Sequence, residues 1–325
     1  MNTKQDISSI SICGEMTLNL HSLNNEGGEG NQIMTRQLTI VDKNGKEQNV
    51  TGISGDMFKH IHAAHMLNYC IDNQIPLSEY SKTLNPNRIA STELTVGAGK
   101  STNNQTDVIN ETIKKCAICD AHGVLITDKV GENKSSTNTP RKSVIEFAWT
   151  VGVPGKNNTE TYVHTKLVAD AGSKGSATAS NEGQNIFHRP ANHGVYAFVC
   201  NIDTYRIGLN DINRKYAITD DERTKRYKAI LQSLLSSILN PRGAMTSAQK
   251  PHITDFKGIV TVSHKLIPAP IVSAINDDYI NEIKLISKNL NDIQSESIEI
   301  EQFNGFGKFT EIFANLMKAK PYKIK

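Results

Sequence analysis

Cysteine is scarce and unpaired in number. The five are Cys13, Cys70, Cys116, Cys119 and Cys200, and an odd, scattered set of this kind is not a disulfide framework. It favours a reducing cytoplasm. No apolar run is long enough to span a bilayer. The opening residues, Met1-Asn2-Thr3-Lys4-Gln5-Asp6, lack the apolar core of a signal peptide. Charge of one sign is not in excess either: 36 Lys and Arg stand against 33 Asp and Glu, a net charge of +3. A nucleic-acid partner would therefore have to be held by locally grouped cations rather than by a global field.

Catalytic and metal signatures are equally thin. There is no nucleophile elbow, and Gly97-Ala98-Gly99-Lys100-Ser101 lacks the leading glycine of a phosphate-cradling loop. His60-x-His62-x-x-His65 does not set three imidazoles on one helical face, and Cys116-x-x-Cys119 has no partner pair. No metal and no cofactor is expected. The 38% hydrophobic content indicates a folded chain, and its 325 residues fit one large domain or two small ones. No internal repeat is evident.

What is present begins with alternation. Ile10, Ile12, Met16, Leu18 and Leu20 alternate with Ser11, Cys13, Glu15, Thr17 and Asn19, which predicts a half-buried strand. The strand runs into His21-Ser22-Leu23-Asn24-Asn25-Glu26-Gly27-Gly28-Glu29-Gly30-Asn31, a glycine-rich loop. Gln37 to Val41 and Glu47 to Val50 flank Asn44-Gly45 and predict a hairpin. Ser54-Gly55 opens a helix that puts Met57, Ile61, Ala64, Leu67 and Ile71 on one face, Lys59 and His62 on the other, and His60 at the apolar edge.

Residues from about 78 to 140 are polar, with short apolar islands, and read as an insertion with mobile loops. Ser143 to Val153 and Val195 to Ile202 predict strands. About forty polar residues separate them, too many for a structureless loop in a compact core, so residues 154–193 predict a protruding arm. Thr219 and Asp220 cap a helix to Leu239, stopped by Asn240-Pro241. Gly258 to His264 predicts a last core strand. The order strand, helix, strand, strand, helix, strand is that of an α+β, ferredoxin-like palm, shared with RNA-recognition motifs. Tyr196-Ala197-Phe198-Val199 sits where such a motif carries base-stacking aromatics. Core packing is the favoured reading of those two rings, because short motif matches are often false.

Four stretches carry a family resemblance. They are Leu18-Asn19-Leu20-His21-Ser22-Leu23-Asn24 before the glycine-rich segment, Ile53-Ser54-Gly55-Asp56-Met57-Phe58-Lys59-His60-Ile61-His62 at the helix start, Asp120-Ala121-His122-Gly123-Val124-Leu125, and the arm from Ser176 to Arg189 followed by Gly194-Val195-Tyr196-Ala197-Phe198. In these the chain resembles a CRISPR-associated backbone subunit of type I surveillance complexes (Cascade), in the archaeal-type DevR autoregulator branch of the RAMP superfamily. The resemblance implies a single palm over residues 1–325, a fingers-like helical insertion at 74–140 and a β-hairpin thumb at 154–193. It also implies a non-catalytic subunit that oligomerises along a CRISPR guide RNA and presents it for pairing with target DNA, beside other complex subunits and away from any membrane. Type III relatives cleave RNA with an acidic palm residue, for which Asp56 is the nearest candidate. The alternatives are therefore a RAMP-type endoribonuclease and a nucleic-acid-binding transcriptional autoregulator.

The RNA contacts expected on this reading fall in four groups. Asn19, His21, Asn24, Gly27, Gly28, Asn31 and Arg36 surround the glycine-rich segment. Ser54, Gly55, Lys59, His60 and secondarily His62 lie at the helix start. Lys156, His164, Lys166, Lys174, Gln184 and Arg189 lie in the arm, and Arg242 and Gly243 follow the second helix. These residue types hold phosphate and sugar rather than read base edges.

Overall fold

The computed structural model describes residues 5–94, 105–127, 130, 138–167 and 184–325. In chain order the elements are strands β1 (Ser9–His21), β2 (Asn25–Glu29), β3 (Gln32–Thr35), β4 (Gln37–Val41) and β5 (Glu47–Ile53), then helix α1 (Gly55–Asp72). Helices α2 (Glu79–Lys82), α3 (Gln105–Lys115) and α4 (Ala117–His122) follow. Short strands β6 (Val124–Ile126), β7 (Thr139–Arg141) and β8 (Ile145–Phe147) lead to the long pair β9 (Thr150–Leu167) and β10 (Gln184–Ile202). After β11 (Leu209–Asn210) and β12 (Lys215–Tyr216) come α5 (Asp220–Leu239), β13 (His252–Ser263), α6 (Tyr279–Ile293), β14 (Ile298–Asn304) and α7 (Phe306–Leu316).

This is a mixed helix-and-strand chain built on one large, mainly antiparallel sheet in the order β14-β13-β1-β10-β9-β5-β4. β1 is central, paired with β13 on one edge and β10 on the other. Its even residues Ile10, Ile12, Met16 and Leu18 are buried with Tyr196, Phe198, Phe256 and Phe303 under α1, α5 and α7. Edge-on and tilted rings run through this core, Phe58 to Phe198 at 5.4 Å, Phe198 to Phe256 at 5.9 Å and Phe256 to Phe309 at 4.9 Å between centroids, within the range where aromatic pairs add stability beyond their area. Tyr196 and Phe198 are core residues, fully enclosed. They are not available to stack on bases.

The odd face of β1 is covered too, which corrects the half-buried expectation. Ser9, Ser11 and Cys13 are all buried. The Ser11 hydroxyl donates to the Pro270 carbonyl at 2.6 Å, and the Ser9 hydroxyl accepts from the Ala269 amide at 3.1 Å. Small side chains let this segment run close, and α6 continues the cover with Tyr279 and Ile283 against Cys13, Ala197 and Ile259. Buried serines that bond to a backbone carry the same sequence pattern as exposed ones.

The helix of residues 55–72 is also rotated from the expected wheel. Phe58, Ile61, His62, Met66 and Cys70 face inward, while Ile71 is exposed. The reason is a pairing that a helical wheel cannot register. His62 Nδ1 lies 2.8 Å from His122 Nε2, and His62 Nε2 lies 3.0 Å from the Ile230 carbonyl. The hairpin of β4 and β5 and the capped α5 stand where expected, with Thr219 accepting from the Glu222 amide at 3.3 Å. The single strand expected over 143–153 is instead β8 and β9, separated by exposed Ala148 and Trp149.

A buried charge cluster joins the insertion to α5 and to the loop after β10. Asp120 accepts from Arg141 at 2.6 Å, Arg226 at 3.1 Å and the Gly208 amide at 3.0 Å. Arg141 also reaches the Leu209 carbonyl and Asp211, and Arg226 reaches the Ile113 carbonyl and Glu222. Each charged partner is hydrogen-bonded, with only Arg141 Nε left without a partner among the described residues, which meets the main condition for tolerating buried charge.

Two expectations follow. Asp120→Ala leaves two buried guanidiniums short of their anion and should cost about 3–5 kcal/mol of unfolding free energy, read by urea denaturation; a loss below about 1 kcal/mol would contradict it. Burial holds His62 down to about 4 and His21 to about 3, and drives His122 well below the ordinary range. The folded chain thus keeps them neutral where the unfolded chain, with a pKa near 6.5, takes up protons. Stability is complete above about pH 6.5 and falls as pH drops from there. A thermal midpoint unchanged between pH 7 and pH 5 would contradict this.

Candidate nucleic-acid interface

The site is a corner where three chain segments meet at the start of α1. The Ser54 hydroxyl caps the helix by accepting from the Met57 amide at 3.1 Å, and the Ser54 amide donates to Asn24 Oδ1 at 2.7 Å. A Cβ on Gly55 would stand 2.4 Å from the Phe147 carbonyl oxygen, so only glycine lets the helix start against the end of β8. The turn after α5 closes the corner from the other side. The Ala244 amide donates to the Leu23 carbonyl at 2.9 Å, and a Cβ on Gly243 would lie 2.7 Å from that same oxygen. Asn24, Ser54, Gly55 and Gly243 are therefore brought together. Their work within the chain is to build the corner.

What the corner turns outward is Asp56, Lys59 and His60. His60 is exposed and Lys59 half-buried. Both line a cleft of ≈ 320 Å³ with Ser81, Asn85, Pro86 and Arg88 from the insertion. Burial and the neighbouring Arg88 cation push the Lys59 ammonium below its usual range, against the opposing pull of Asp56 and Glu146. His60 is on the surface and His62 is not. His62 and His21 leave the set of accessible contacts. His21 is 2% exposed, set edge-on to the Tyr196 ring at 5.2 Å, and neither of its ring nitrogens has a hydrogen-bond partner among the described residues.

The glycine-rich segment is a hairpin rather than a loop. β2 and β3 pair across Gly30-Asn31, and β3 adds to β10 through His188 and Gln32. The Asn31 carbonyl accepts from the His188 amide at 2.9 Å. Asn192 ties this hairpin to the sheet, accepting from Thr35 at 2.8 Å and Thr159 at 2.7 Å and donating to the His21 carbonyl at 3.2 Å. Gly27, Gly28 and Asn31 are exposed along it. Asn19 is half-buried opposite His252. Arg36 lies just beyond, its Nε 3.3 Å from Glu26 and its guanidinium carbon 5.4 Å from the centre of the Trp149 ring.

β9 and β10 stay paired from the sheet out to Leu167 opposite Gln184. The register shifts between Gly194 and Tyr196. Gly194 has φ of 142°, and a Cβ there would sit 2.3 Å from the Lys156 carbonyl oxygen, so this bulge needs glycine. Asn157 braces it by donating to the Val153 carbonyl at 2.9 Å and accepting from the Thr51 amide at 3.2 Å. Along the arm, His164 is exposed and Arg189 half-buried. Lys166 and Gln184 lie on the paired strands, while Lys174 lies outside the described residues. Lys156 stands apart, 3.8 Å from Glu15 with Lys257 at 3.0 Å from the same carboxylate, on the α6 side of the sheet. Arg242 is exposed beside the corner.

Sequence reasoning missed Arg88 and Trp149. Arg88 lies in a segment read as mobile loops, and its left-handed backbone at φ 59°, which few non-glycine residues adopt, has no sequence signature. Trp149 lay inside a single expected strand, and the strand break that exposes it was not foreseen. Among the described residues no group of three or more His, Cys, Asp or Glu could hold a metal, and no helix is long and apolar enough to cross a membrane.

Comparison with known proteins converges on one family. The family model described as the CRISPR-associated negative auto-regulator DevR/Csa2 matches residues 12–284. A CRISPR-associated protein Cas7/Cst2/DevR of Methanocaldococcus jannaschii is 27% identical over 309 residues, 90% of this chain and 92% of that protein. A chain of a solved CRISPR RNA-guided surveillance complex, in a pre-nicking state, superposes with a TM-score of 0.50 at 13% identity, covering 98% of this chain and 96% of that one; this is a likeness of fold. With most of its length matched by the family model, the chain belongs to the DevR/Csa2 family of CRISPR-associated proteins.

Proposed function

We propose that the chain is a non-catalytic backbone subunit of a CRISPR surveillance complex, binding guide RNA, oligomerising along it and holding it for pairing with target DNA. The observation that carries this reading is the placement of basic side chains. Lys59, His60 and Arg88 line one cleft at the α1 corner, and Arg242 is exposed in the turn that closes that corner, at the edge of a sheet with one face buried and the other covered over Ser9, Ser11 and Cys13. An RNA-recognition motif uses an open sheet face. With much of that face covered by α6, a backbone-tracking path along the rim suits sequence-tolerant phosphate binding.

On this reading the strands in sheet order β13-β1-β10-β9 are the ferredoxin-like palm, residues 74–140 the fingers, and the paired extension of β9 and β10 within residues 154–193 the thumb. A protruding hairpin on one copy meets a different surface on the next, and such heterologous contacts extend into open helices. The same reading puts the protein in the cytoplasm, with its guide RNA, target DNA, copies of itself and other complex subunits as partners. Asp56, the residue that would mark an endoribonuclease, is exposed in the first turn of α1 beside Lys59.

The defining test is stoichiometry. Native mass measurement with RNAs of increasing length should show copies added in proportion to length. One copy per RNA at every length would refute the backbone role, and tight binding to duplex DNA without RNA would favour an autoregulator acting on its own promoter.

Two variants separate palm from thumb. Lys59→Ala, His60→Ala and Arg242→Ala together should lower affinity and reduce the salt slope by about two, one for each lost Lys or Arg phosphate contact. Replacing residues 165–186 with a tight turn joins the strands at a register pair, His164 and Phe187. This variant should keep the parent thermal midpoint but fail to build multi-copy complexes. If it assembles like the parent, the thumb has no part in assembly.

A further inference from the structure

We propose that Trp149, with Arg36 set against its ring, is a stacking platform for an unpaired nucleobase of the bound strand. The inference rests on the RNA-binding reading and adds to it a contact with a base rather than with phosphate.

Trp149 is the one tryptophan of the sequence and is 43% exposed. It belongs to neither of the two apolar cores. Large aromatics usually deliver their area to a core, so a ring kept at the surface needs a cause. The backbone that carries it is firmly held. The Ala148 amide donates to the Val199 carbonyl at 3.1 Å, and Thr150, fully buried, pairs with Ile53. Phe147 packs against Gly55 through its carbonyl. The two-residue break between β8 and β9 thus projects the ring from a fixed base.

Arg36 is positioned as well. Its carbonyl accepts from the Gly52 amide at 3.1 Å, its Nε meets Glu26 at 3.3 Å, and its guanidinium carbon lies 5.4 Å from the ring centre. A planar cation against an indole is a cation–π pair. Aromatic and guanidinium planes beside a cationic track are how single strands are held without sequence preference, because every base has a π face. The pair also lies at the α1 corner, since Gly55 and Ala148 adjoin. Apolar burial against a second copy would not account for the cation on the ring, so a nucleobase is the occupant favoured.

Because the tryptophan is unique, its emission reports this position alone. The probes are a short oligouridylate and an abasic phosphodiester oligomer of the same length. The oligouridylate should quench Trp149 strongly, and the abasic oligomer should bind while leaving the emission unchanged. Trp149→Ala should weaken oligouridylate binding about tenfold with abasic affinity preserved, and Trp149→Phe should retain most of it. The quenching comparison uses the unaltered protein, so it stands even if the alanine variant folds poorly.

Equal quenching by both oligomers, or no loss of affinity in Trp149→Ala, overturns the platform and leaves the RNA-binding reading standing. An emission change that follows protein concentration without RNA also overturns it, by assigning the ring to a contact between copies. Failure of the unaltered protein to bind either oligomer overturns both readings.

Discussion

β1 is the constraint on which the rest of the molecule depends. It is hydrogen-bonded along both edges, buried on one face and covered on the other from Ser9 to Cys13, so its first half is fixed from four directions at once. The large side chains on one face demand helices over them. The serines on the other face admit a close-running segment that satisfies their hydroxyls with backbone groups, as buried polar atoms require. At the end of the sheet β1 delivers the chain into the α1 corner.

The corner and the insertion are joined by charge rather than by apolar contact alone. Asp120 sits between Arg141 and Arg226, so α4, β7 and α5 share one anion. A neighbouring buried pair, His62 with His122, links α1 to the same helix α4. These are the parts of the core that acid or charge removal would disturb first. They also set the position of the cleft wall facing Lys59 and His60. The family resemblance included both Asp120 and His122, and their positions give that segment a structural meaning, because both side chains are consumed in holding elements together.

Much of the framework was legible in the sequence because it rests on local rules. The alternation of β1, the Asn-Gly hairpin turn, the Ser54 and Thr219 caps, and the paired strands flanking a polar arm are all set by neighbours in the chain. Other features are set by partners far away. The covering of Ser9 and Ser11 depends on residues some 260 positions distant. The inward turn of His62 depends on His122, and the closure of Gly243 on Leu23. Nothing local marks α6, β14 and α7 as the cover and flank of the sheet. At the site, the glycine and asparagine positions were found, but as contacts rather than as the scaffold of the corner. His60 was found through the family element although the helical wheel put it at the apolar edge, and Arg88 and Trp149 were not found, since their accessibility is created by tertiary structure alone.

The central claim is that a guide RNA runs along the rim of this sheet. It is tested most directly by recovering and sequencing the nucleic acid that accompanies the protein when it is purified from cells carrying its own CRISPR array. The account expects short RNAs of varied internal sequence with a common repeat-derived end. Absence of RNA, or RNA drawn from the cell without relation to the array, would contradict it.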